Sequence, residues 1–369
     1  MKYYLIAGEA SGDLHASNLL RELKLCGNDA QFRGFGGDLM QAQGMEVVKH
    51  YREMSFMGII EVLKNLGSIS RNLALAKEDI LTYQPDVLIL VDYPGFNLRI
   101  AQFAKSKGIK VIYYISPKLW AWKESRVKKM RAYVDLLLLI LPFEVEFYRK
   151  HQYEKAVYVG NPVVDAVRAF QPDADFRKTY HLENKKIIAL LPGSRIHELE
   201  HMLPLMLKVS EQFEGYEFVI AQAPGLDDSI YQQLLNGSRI KVVKAHTYDL
   251  LSNAEAALVT SGTATLETAL FHVPQVVCYK ISGVTYAIGK PFVKISLYSL
   301  PNIIVGREII RELIQSDLTV SNMVEELKAA LPNGTKHSSI TSGYTELAKL
   351  LGNTHASANA AKKITEFLQ

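Results

Sequence analysis

The chain contains little cysteine and no long apolar run. Its two cysteines, Cys26 and Cys278, lie far apart among 369 residues. They exclude a disulfide framework and the paired spacing of a structural zinc site, and they fit a reducing compartment. The longest aliphatic run, Leu136 to Leu141, ends at Pro142 and is far too short to cross a bilayer. Since the amino-terminal residues also lack a signal peptide's pattern, we expect a cytoplasmic protein.

The chain has only a small excess of positive over negative charges, since the formal net charge is +4 and the isoelectric point is about 8.7. This excess is too weak to indicate nucleic-acid binding, and no nucleic-acid module accompanies it. It does permit contact with an anionic substrate or surface. A basic cluster runs from Lys123 to Arg131, offset only by Glu124. It is either a solvated helix face or a collar for lipid phosphates.

Apolar runs alternate with helical patterns along most of the chain. With 369 residues, of which 48% are hydrophobic, two domains are expected rather than one. The alternation predicts an α/β protein with parallel sheets, and it starts again after a linker at 170–173. We assign residues 1–165 and 166–343 to two Rossmann-like domains, and residues 344–369 to a helical carboxy-terminal segment.

Polar side chains follow two apolar strands of the first domain. The turn Gly8–Asp13 places Glu9 and Ser11 after the first strand, and its glycines permit close approach of another group. A later strand ends at Asp92, and ligands of α/β sheets bind at that edge. Asp92 is therefore a candidate general base, although a helix N-cap explains an aspartate there equally well.

The segment from Met54 to Ile69 is apolar on more than one helical face. One interpretation is a buried helix. The other is an exposed patch that contacts acyl chains or a membrane surface. The residues that would form the patch are Met57, Ile59, Ile60, Leu63 and Leu66.

In the second domain, Leu258–Glu267 is typical of a strand, a small-residue turn and a helix. Free N–H groups at Ser261, Gly262 and Thr263 would favour an anion such as phosphate. Glu267 follows one helical turn later and could accept hydrogen bonds from a ribose diol. The alternative is an ordinary connection with a glutamate favourably placed in the first helical turn.

Arg195 ends another glycine-containing turn of this domain and is well suited to a diphosphate. The alternative for this arginine is an ion pair with Glu198 or Glu200. Further on, Ser299–Gly306 is predicted to be a turn and strand, and Arg307–Gln315 a helix. The polar residues His337–Gly343 are predicted to form a loop between helices.

Six motifs occur in order through almost the whole chain. They are GEASGD at Gly8–Asp13, DYPGFN at Asp92–Asn97, SPKLWAW at Ser116–Trp122, LPGSR at Leu191–Arg195, SGTATLE at Ser261–Glu267 and SLPN at Ser299–Asn302. Each motif alone is weak, but together they resemble the lipid-A-disaccharide synthase family. The resemblance implies the B-type glycosyltransferase architecture, in which two Rossmann-like domains with parallel sheets face each other across a cleft.

The resemblance also implies an activity and a set of site residues. The activity is the transfer, with inversion, of 2,3-diacylglucosamine from UDP to 2,3-diacylglucosamine 1-phosphate, which gives a β-1,6-linked disaccharide phosphate. Asp92 would be the general base, assisted by Glu9, and Ser11 and Gly12 would lie on the acceptor side. UDP would be held by Arg195, Ser261, Gly262, Thr263, Glu267, Asn302 and Gln315. The family often has an acidic residue where this chain has Gly95, so this chain lacks a second carboxylate there and the case for Asp92 becomes more exclusive.

Arg195 and the Ser261–Thr263 turn would supply the positive charge and N–H donors that a leaving diphosphate needs. We therefore predict no metal and no cofactor. The acylated substrates predict peripheral association with the anionic inner-membrane surface, and the family resemblance suggests a homodimer formed through the carboxy-terminal segment. Two other functions fit the same architecture, namely a UDP-sugar epimerase and a non-catalytic nucleotide- or lipid-binding protein.

Overall fold

The structure, a computed structural model, describes residues 1–27, 29–54, 66–122, 124–280, 296–353 and 355–369. These residues form two compact units, one of Met1–Pro162 with Asn353–Gln369 and the other of Val163–Gly352. The boundary expected at residue 343 falls inside the helix His337–Leu351. This helix belongs to the second unit, so the part of the chain that returns to the first unit begins at Asn353, nine residues after the expected start at residue 344.

The strands of the first unit are β1 (Lys2–Ala7), β2 (Gln31–Gly36), β3 (Glu46–His50), β4 (Val87–Val91), β5 (Lys110–Tyr114), β6 (Leu136–Leu139) and β7 (Ala156–Tyr158). Within the described residues these seven form one parallel sheet in the order β3–β2–β1–β4–β5–β6–β7. All residues of β4 are buried, as expected of a strand that helices cover on both faces. The strand order reverses between β1 and β4, which makes their carboxyl ends a favourable ligand position.

Helices cover both faces of this sheet. They span Ala10–Cys26, Asp38–Ala42, Leu66–Tyr83, Pro94–Ser106, Leu119–Trp122, Val127–Tyr133 and Glu144–Lys150. Because side chains of a strand alternate between faces, Tyr4 and Ile6 enter one core while Leu5 and Ala7 enter the other. Cores on both faces of the sheet thereby hold the ends of β1 and β4 in place.

The carboxy-terminal helix Ala356–Leu368 packs on the first unit. Ala360, Ala361 and Ile364 are fully buried in the core that contains Leu5, and Asn359 Nδ2 donates to the Val159 carbonyl at 3.1 Å. The small alanines permit close contact with the helix Ala10–Cys26. No described helix has the length and apolar character needed to cross a bilayer.

The strands of the second unit are β8 (Lys186–Leu191), β9 (Tyr216–Gln222), β10 (Lys241–Lys244), β11 (Ala254–Thr260), β12 (Gln275–Tyr279) and β13 (Glu312–Ile314). Its described strands form a parallel sheet in the order β10–β9–β8–β11–β12–β13. The helices are Pro162–Ala169, which starts in the first unit, Phe176–Thr179, Ile196–Ser210, Asp228–Leu235, Thr247–Asn253, Thr263–Leu270, Leu300–Val305, Val320–Ala330 and His337–Leu351. The predicted α/β class with two parallel sheets is confirmed.

Three local expectations in the second unit are wrong. Residues expected to be a strand form the helix Leu300–Val305, with Pro301 in its first turn and a left-handed Gly306 after its end, both common at helix ends. The predicted helix that follows contains β13 instead. The predicted loop around Gly343 is helical, and a Cβ at Gly343 would lie 2.7 Å from Ile309 Cβ, so close packing accounts for this glycine.

Candidate functional site

The register of the first sheet brings Glu9 and Asp92 to one edge. Ala7 is paired with Val91, and Val91 with Tyr114, so three neighbouring strands end at the same level. Glu9 precedes the first helix in an extended conformation, and Asp92 directly follows β4. The two predicted acidic residues therefore lie together at the carboxyl edge of the sheet.

The backbone at Asp92 is strained and firmly held. Both Asp92 and Tyr93 have left-handed φ angles, 45° and 48°, which are costly for residues other than glycine. The Asp92 carbonyl accepts hydrogen bonds from Asn97 Nδ2 at 2.8 Å and from the Tyr113 hydroxyl. Its N–H donates to the Tyr114 carbonyl at 3.1 Å. Such over-determined strain is typical of functional positions.

The Asp92 carboxyl lies in a buried environment beside another negative charge. Burial, followed by the negative charge of Glu9, raises its pKa to about 6, while Lys118 acts in the opposite direction. The N-cap position of the following helix is occupied by Tyr93 rather than Asp92, and the Tyr93 N–H donates to the Asp92 carboxyl. A carboxylate with this pKa is largely ionised at pH 7 and accepts a proton more readily than an ordinary aspartate.

The group that approaches the Gly8–Asp13 turn is Tyr93. A Cβ at Gly8 would lie 2.4 Å from the Tyr93 ring, and the Tyr93 hydroxyl donates to the Met54 carbonyl at 2.9 Å. Ser11 is exposed and Gly12 is buried. The last residue of the motif has a structural role, because Asp13 accepts the N–H groups of Gly37, Leu39 and Met40 at 2.8–3.1 Å.

A cavity of about 210 Å³ lies at this edge, and Asp92, Lys118, Arg126 and Glu144 contribute to its lining. Lys118 lies shortly before the basic region noted in the sequence, and Arg126 belongs to it. The sequence analysis did not identify Glu144. Its carboxyl is buried and accepts Trp120 Nε1 at 3.2 Å and the Leu141 N–H at 3.3 Å. Burial raises the pKa of Glu144 to about 8. Its position in the first turn of a helix resembles an ordinary favourable charge, so nothing in the pattern distinguished it.

The second sheet brings the predicted nucleotide-binding turns to its own carboxyl edge. Val259 is paired with Leu191, and Tyr279 with Ile314, so Arg195, Ser261 and Gln315 follow strands that end side by side. The N–H groups of Gly262 and Thr263 donate to no described residue. A Cβ at Gly262 would meet no atom of a described residue within 4 Å. As far as the described residues go, the backbone of this turn is open to a ligand, as an anion site at a helix start requires.

Glu267 lies one turn into the helix Thr263–Leu270 and has a defined partner. The Tyr248 hydroxyl donates to Glu267 Oε1 at 2.8 Å. Burial raises the pKa of Glu267, and the hydrogen bond from Tyr248 opposes that rise. The second oxygen accepts from no described residue, and a carboxylate can accept several hydrogen bonds, so it could accept one from a hydroxyl.

Arg195 forms the ion pair that the sequence offered as an alternative. Its Nη1 lies 3.4 Å from Glu198 Oε1, and Glu198 Oε2 accepts the Ser194 N–H at 3.0 Å. The Arg195 side chain is 53% exposed, so this pair is weak. Arg195 and Glu198 also act in opposite directions on the pKa of Tyr279, which places the arginine beside the end of β12.

The hydrogen-bonding groups of the Asn302 side chain are all occupied by described residues, so its predicted part in holding UDP stays a prediction and would be indirect. Asn302 is fully buried. Its Nδ2 donates to the Ile310 carbonyl and Glu312 Oε1, while its Oδ1 accepts from Ile309 N and Ile310 N, all within 2.7–3.1 Å. These four bonds use the whole capacity of the amide. Asn302 therefore shapes the segment around it.

Gln315 is positioned differently. It has a left-handed φ of 54° directly after β13. Its buried Nε2 has no hydrogen-bond partner among the described residues. An unsatisfied buried donor is costly, so a ligand group that accepts from Gln315 would remove a penalty.

The predicted membrane segment is described in part. Met57, Ile59, Ile60 and Leu63 lie outside the described residues. Leu66 begins a helix and is 53% exposed, whereas Met54 is buried in the core. Lys128, Lys129 and Arg131 of the basic region are exposed.

The acidic pair Asp173 and Asp175 has the Asp-x-Asp spacing often used for metals. Asp173 Oδ1 accepts the Asp175 N–H at 2.9 Å, and the Asp173 N–H donates to Asp249 Oδ1 at 2.7 Å. The first aspartate thus organises the linker locally. Among the described residues, no group of three or more metal-ligating side chains comes together.

The family model described as lipid-A-disaccharide synthetase matches residues 3–366. The chain belongs to this family. It is 38% identical over 371 residues to the lipid-A-disaccharide synthase of Myxococcus xanthus, covering 99% of this chain and 97% of that protein. It is 36% identical to the corresponding Geobacter metallireducens protein, covering 99% and 96%. Membership in this family makes the chain a glycosyltransferase.

Solved structures with the same fold are more distant in sequence. The UDP-GlcNAc 2-epimerase of Methanocaldococcus jannaschii, in complex with UDP-GlcNAc and UDP, has a TM-score of 0.67 at 14% identity and covers 99% of this chain and 100% of its own. The glycotransferase of kitacinnamycin has a TM-score of 0.66 at 13% identity and covers 100% and 99%. At these identities the likeness shows the fold alone, which is the B-type glycosyltransferase architecture.

Proposed function

We propose that the protein transfers 2,3-diacylglucosamine from UDP to 2,3-diacylglucosamine 1-phosphate, forming the β-1,6-linked lipid A disaccharide 1-phosphate and UDP. The observation that carries this proposal is Asp92, a strained and held residue at the sheet edge whose pKa is raised to about 6. An inverting transfer needs one such base and forms no covalent intermediate.

In the proposed step, Asp92 accepts the proton of the acceptor's 6-hydroxyl. The hydroxyl oxygen forms a bond to the anomeric carbon of the donor sugar from the face opposite UDP. The bond between that carbon and the diphosphate oxygen breaks, and its electron pair leaves with UDP. Glu9 raises the basicity of Asp92 through its negative charge, so its contribution is electrostatic.

We assign UDP to the carboxyl edge of the second sheet. The open N–H groups of Gly262 and Thr263 suit a diphosphate, and Ser261 begins the same turn. The exposed pair with Glu198 is weak enough for Arg195 to contact the diphosphate instead. The free oxygen of Glu267 suits the ribose hydroxyls, and the unsatisfied Nε2 of Gln315 suits a carbonyl or phosphate oxygen.

We further propose that the protein is cytoplasmic and docks on the anionic inner-membrane surface. The exposed Leu66 continues the apolar segment that includes Ile59 and Leu63. Sedimentation with anionic vesicles should weaken in an Ile59→Ser, Leu63→Ser, Leu66→Ser variant. The control is Leu81→Ser, at an exposed leucine near the other end of the helix that Leu66 begins. Equal sedimentation of the two variants would contradict the membrane assignment.

The predicted homodimer would exchange the helix Ala356–Leu368 between chains while preserving its contacts. We propose this arrangement because Ile364 would be buried equally well against the partner chain as against its own. One chain has a mass of 41.4 kDa, and light scattering after size-exclusion chromatography should give twice that mass. Removal of residues 355–369 should abolish the dimer, and a monomer of the full chain would exclude it.

One assay separates the proposed reaction from the other functions. UDP release from UDP-2,3-diacylglucosamine should require 2,3-diacylglucosamine 1-phosphate, and a disaccharide phosphate should form. Epimerised donor in the absence of acceptor would indicate an epimerase instead. Donor binding without turnover under both conditions would indicate a non-catalytic protein.

A further inference from the structure

The cavity beside Asp92 contains two cations that the general-base mechanism does not use. Lys118 follows β5, and Arg126 precedes the helix Val127–Tyr133, yet both contribute to the lining that includes Asp92. The rest of the lining is largely apolar and includes Ile115, Leu119, Ile140 and Leu141. Cations at an apolar wall interact more strongly with an anion than cations in open water do.

The segment that carries Lys118 is fixed on both sides. Before it, the Ser116 and Tyr148 hydroxyl groups are hydrogen-bonded at 2.6 Å. After it, Trp120 Nε1 donates to Glu144 at 3.2 Å. Tyr148 and Glu144 both belong to the helix Glu144–Lys150, so one rigid element holds the segment at two points. A site held in this way loses little entropy when a ligand binds.

The carboxyl groups around the cavity do not neutralise these cations. Neither Lys118 nor Arg126 forms a salt bridge with a described residue. Glu124, two residues before Arg126, lies 3.1 Å from His151 Nε2 instead. Glu144 uses its oxygens on Trp120 and Leu141, and with a pKa of about 8 it is largely uncharged at pH 7. Asp92 is therefore the main negative charge opposite two positive ones.

We propose that Lys118 and Arg126 form a subsite for the phosphate monoester of the acceptor, which is carried on C1, across the ring oxygen from the carbon that bears the hydroxymethyl group deprotonated by Asp92. This inference rests on the proposed function and names the acceptor group that the cavity recognises. Arg126 thus has a different role from the exposed Lys128 and Lys129, which we expect to contact the membrane surface. A dianionic phosphate balances the two cations, and the lysine and the planar guanidinium donate hydrogen bonds to it.

The test compares two acceptors in detergent micelles, 2,3-diacylglucosamine 1-phosphate and the same sugar with a free anomeric hydroxyl. The wild-type enzyme should prefer the phosphate in kcat/KM by roughly a hundredfold, since each charge-assisted contact is worth about tenfold or more. In a Lys118→Gln, Arg126→Gln variant this preference should fall to about threefold or less. KM for the UDP donor should not change, because the subsite does not hold UDP.

A second variant, Lys128→Gln with Lys129→Gln, distinguishes the acceptor phosphate from a membrane phosphate. This variant should sediment less with anionic vesicles and keep the full preference for the phosphorylated acceptor. The Lys118→Gln, Arg126→Gln variant should sediment normally and lose that preference. An unchanged preference in the latter variant, or loss of vesicle binding alone, would overturn the subsite while leaving the transferase assignment intact. Failure of the wild-type enzyme to transfer to either acceptor would instead contradict the proposed function.

Discussion

The Ser261 hydroxyl donates a hydrogen bond of 3.1 Å to the Tyr298 carbonyl. Tyr298 in turn donates its N–H to Glu312 Oε2 at 2.9 Å, and Ser299 donates its N–H and hydroxyl to Glu312 Oε1 at 2.8 and 2.6 Å. Together with Asn302 Nδ2, four donors converge on one largely buried carboxylate. The turn assigned to the diphosphate is thereby connected to a buried network that ends at Glu312.

The first prediction concerns Glu312, which positions this network without touching the donor. Glu312→Gln replaces one acceptor oxygen by an amide nitrogen that faces N–H donors. We expect a loss of stability of about 1–3 kcal/mol and a rise in donor KM of roughly tenfold, with a smaller change in kcat at saturating donor. Thermal unfolding and steady-state kinetics measure both.

The matched control for Glu312 is Glu308→Gln. Glu308 is exposed and pairs with Arg311 at 3.3 Å, so its replacement should change stability by less than about 0.5 kcal/mol. If donor KM rose equally in both variants, the network would have no special part in donor binding.

The second prediction is that Asp92→Asn abolishes transfer and also stabilises the protein. Loss of the base should lower kcat by about a thousandfold, while UDP binding by calorimetry stays unchanged. Because the pKa of Asp92 rises from 3.8 to about 6 on folding, the native state binds more protons in this window and wild-type stability falls as pH rises through it. The neutral amide escapes this loss.

The stability difference has a characteristic pH dependence. Chemical unfolding at pH 8 should show the asparagine variant more stable by about 1–2 kcal/mol, allowing for residual solvent around the carboxyl. The difference should shrink as the pH falls through 6 and vanish only below about pH 3, where the wild-type carboxyl is protonated in both the folded and the unfolded state. A constant difference across pH, or substantial residual transfer, would remove Asp92 as the base.

The third prediction concerns the acidic limb of the pH profile. Since Asp92 must be ionised to accept a proton, kcat/KM should fall tenfold per pH unit below about pH 6. Glu9→Gln removes a negative charge that raises the pKa of Asp92, so the limb should move to lower pH. Lys118→Gln removes a positive charge that lowers the pKa, so the limb should move to higher pH. Glu146→Gln, at an exposed helix position, should leave the limb in place.

The positions of Asp92, Arg195 and Ser261 at sheet edges could be predicted because Asp92 and Ser261 directly follow apolar strands and Arg195 ends the short turn after one. In parallel sheets such positions share one edge, whatever the pairing order. The sequence pattern therefore indicated the residues near each ligand, together with the α/β class and the two sheets.

The buried carboxyl groups could not be predicted in the same way. Glu144 bonds to Trp120, 24 residues away, and Glu267 to Tyr248, 19 residues away. Periodicity reports which face of an element is apolar, but it does not report which distant donor meets a charged residue on the other face. The contacts of Asn302 were hidden for the same reason, since its partners Ile309, Ile310 and Glu312 lie before and on a strand that the predicted helix at 307–315 concealed.

The fourth prediction separates two glycines near the base. Gly8→Ala places a Cβ 2.4 Å from the Tyr93 ring, so Tyr93 must move, and with it the adjacent Asp92. We expect a loss of stability of about 1–3 kcal/mol and a fall in kcat of tenfold or more, with donor binding unchanged. At Gly95 a Cβ would meet no atom within 4 Å, and the residue lies in the first turn of the helix Pro94–Ser106. Gly95→Ala should therefore retain full activity and gain up to about 1 kcal/mol, so equal losses in both variants would show that close packing under Tyr93 does not position the base.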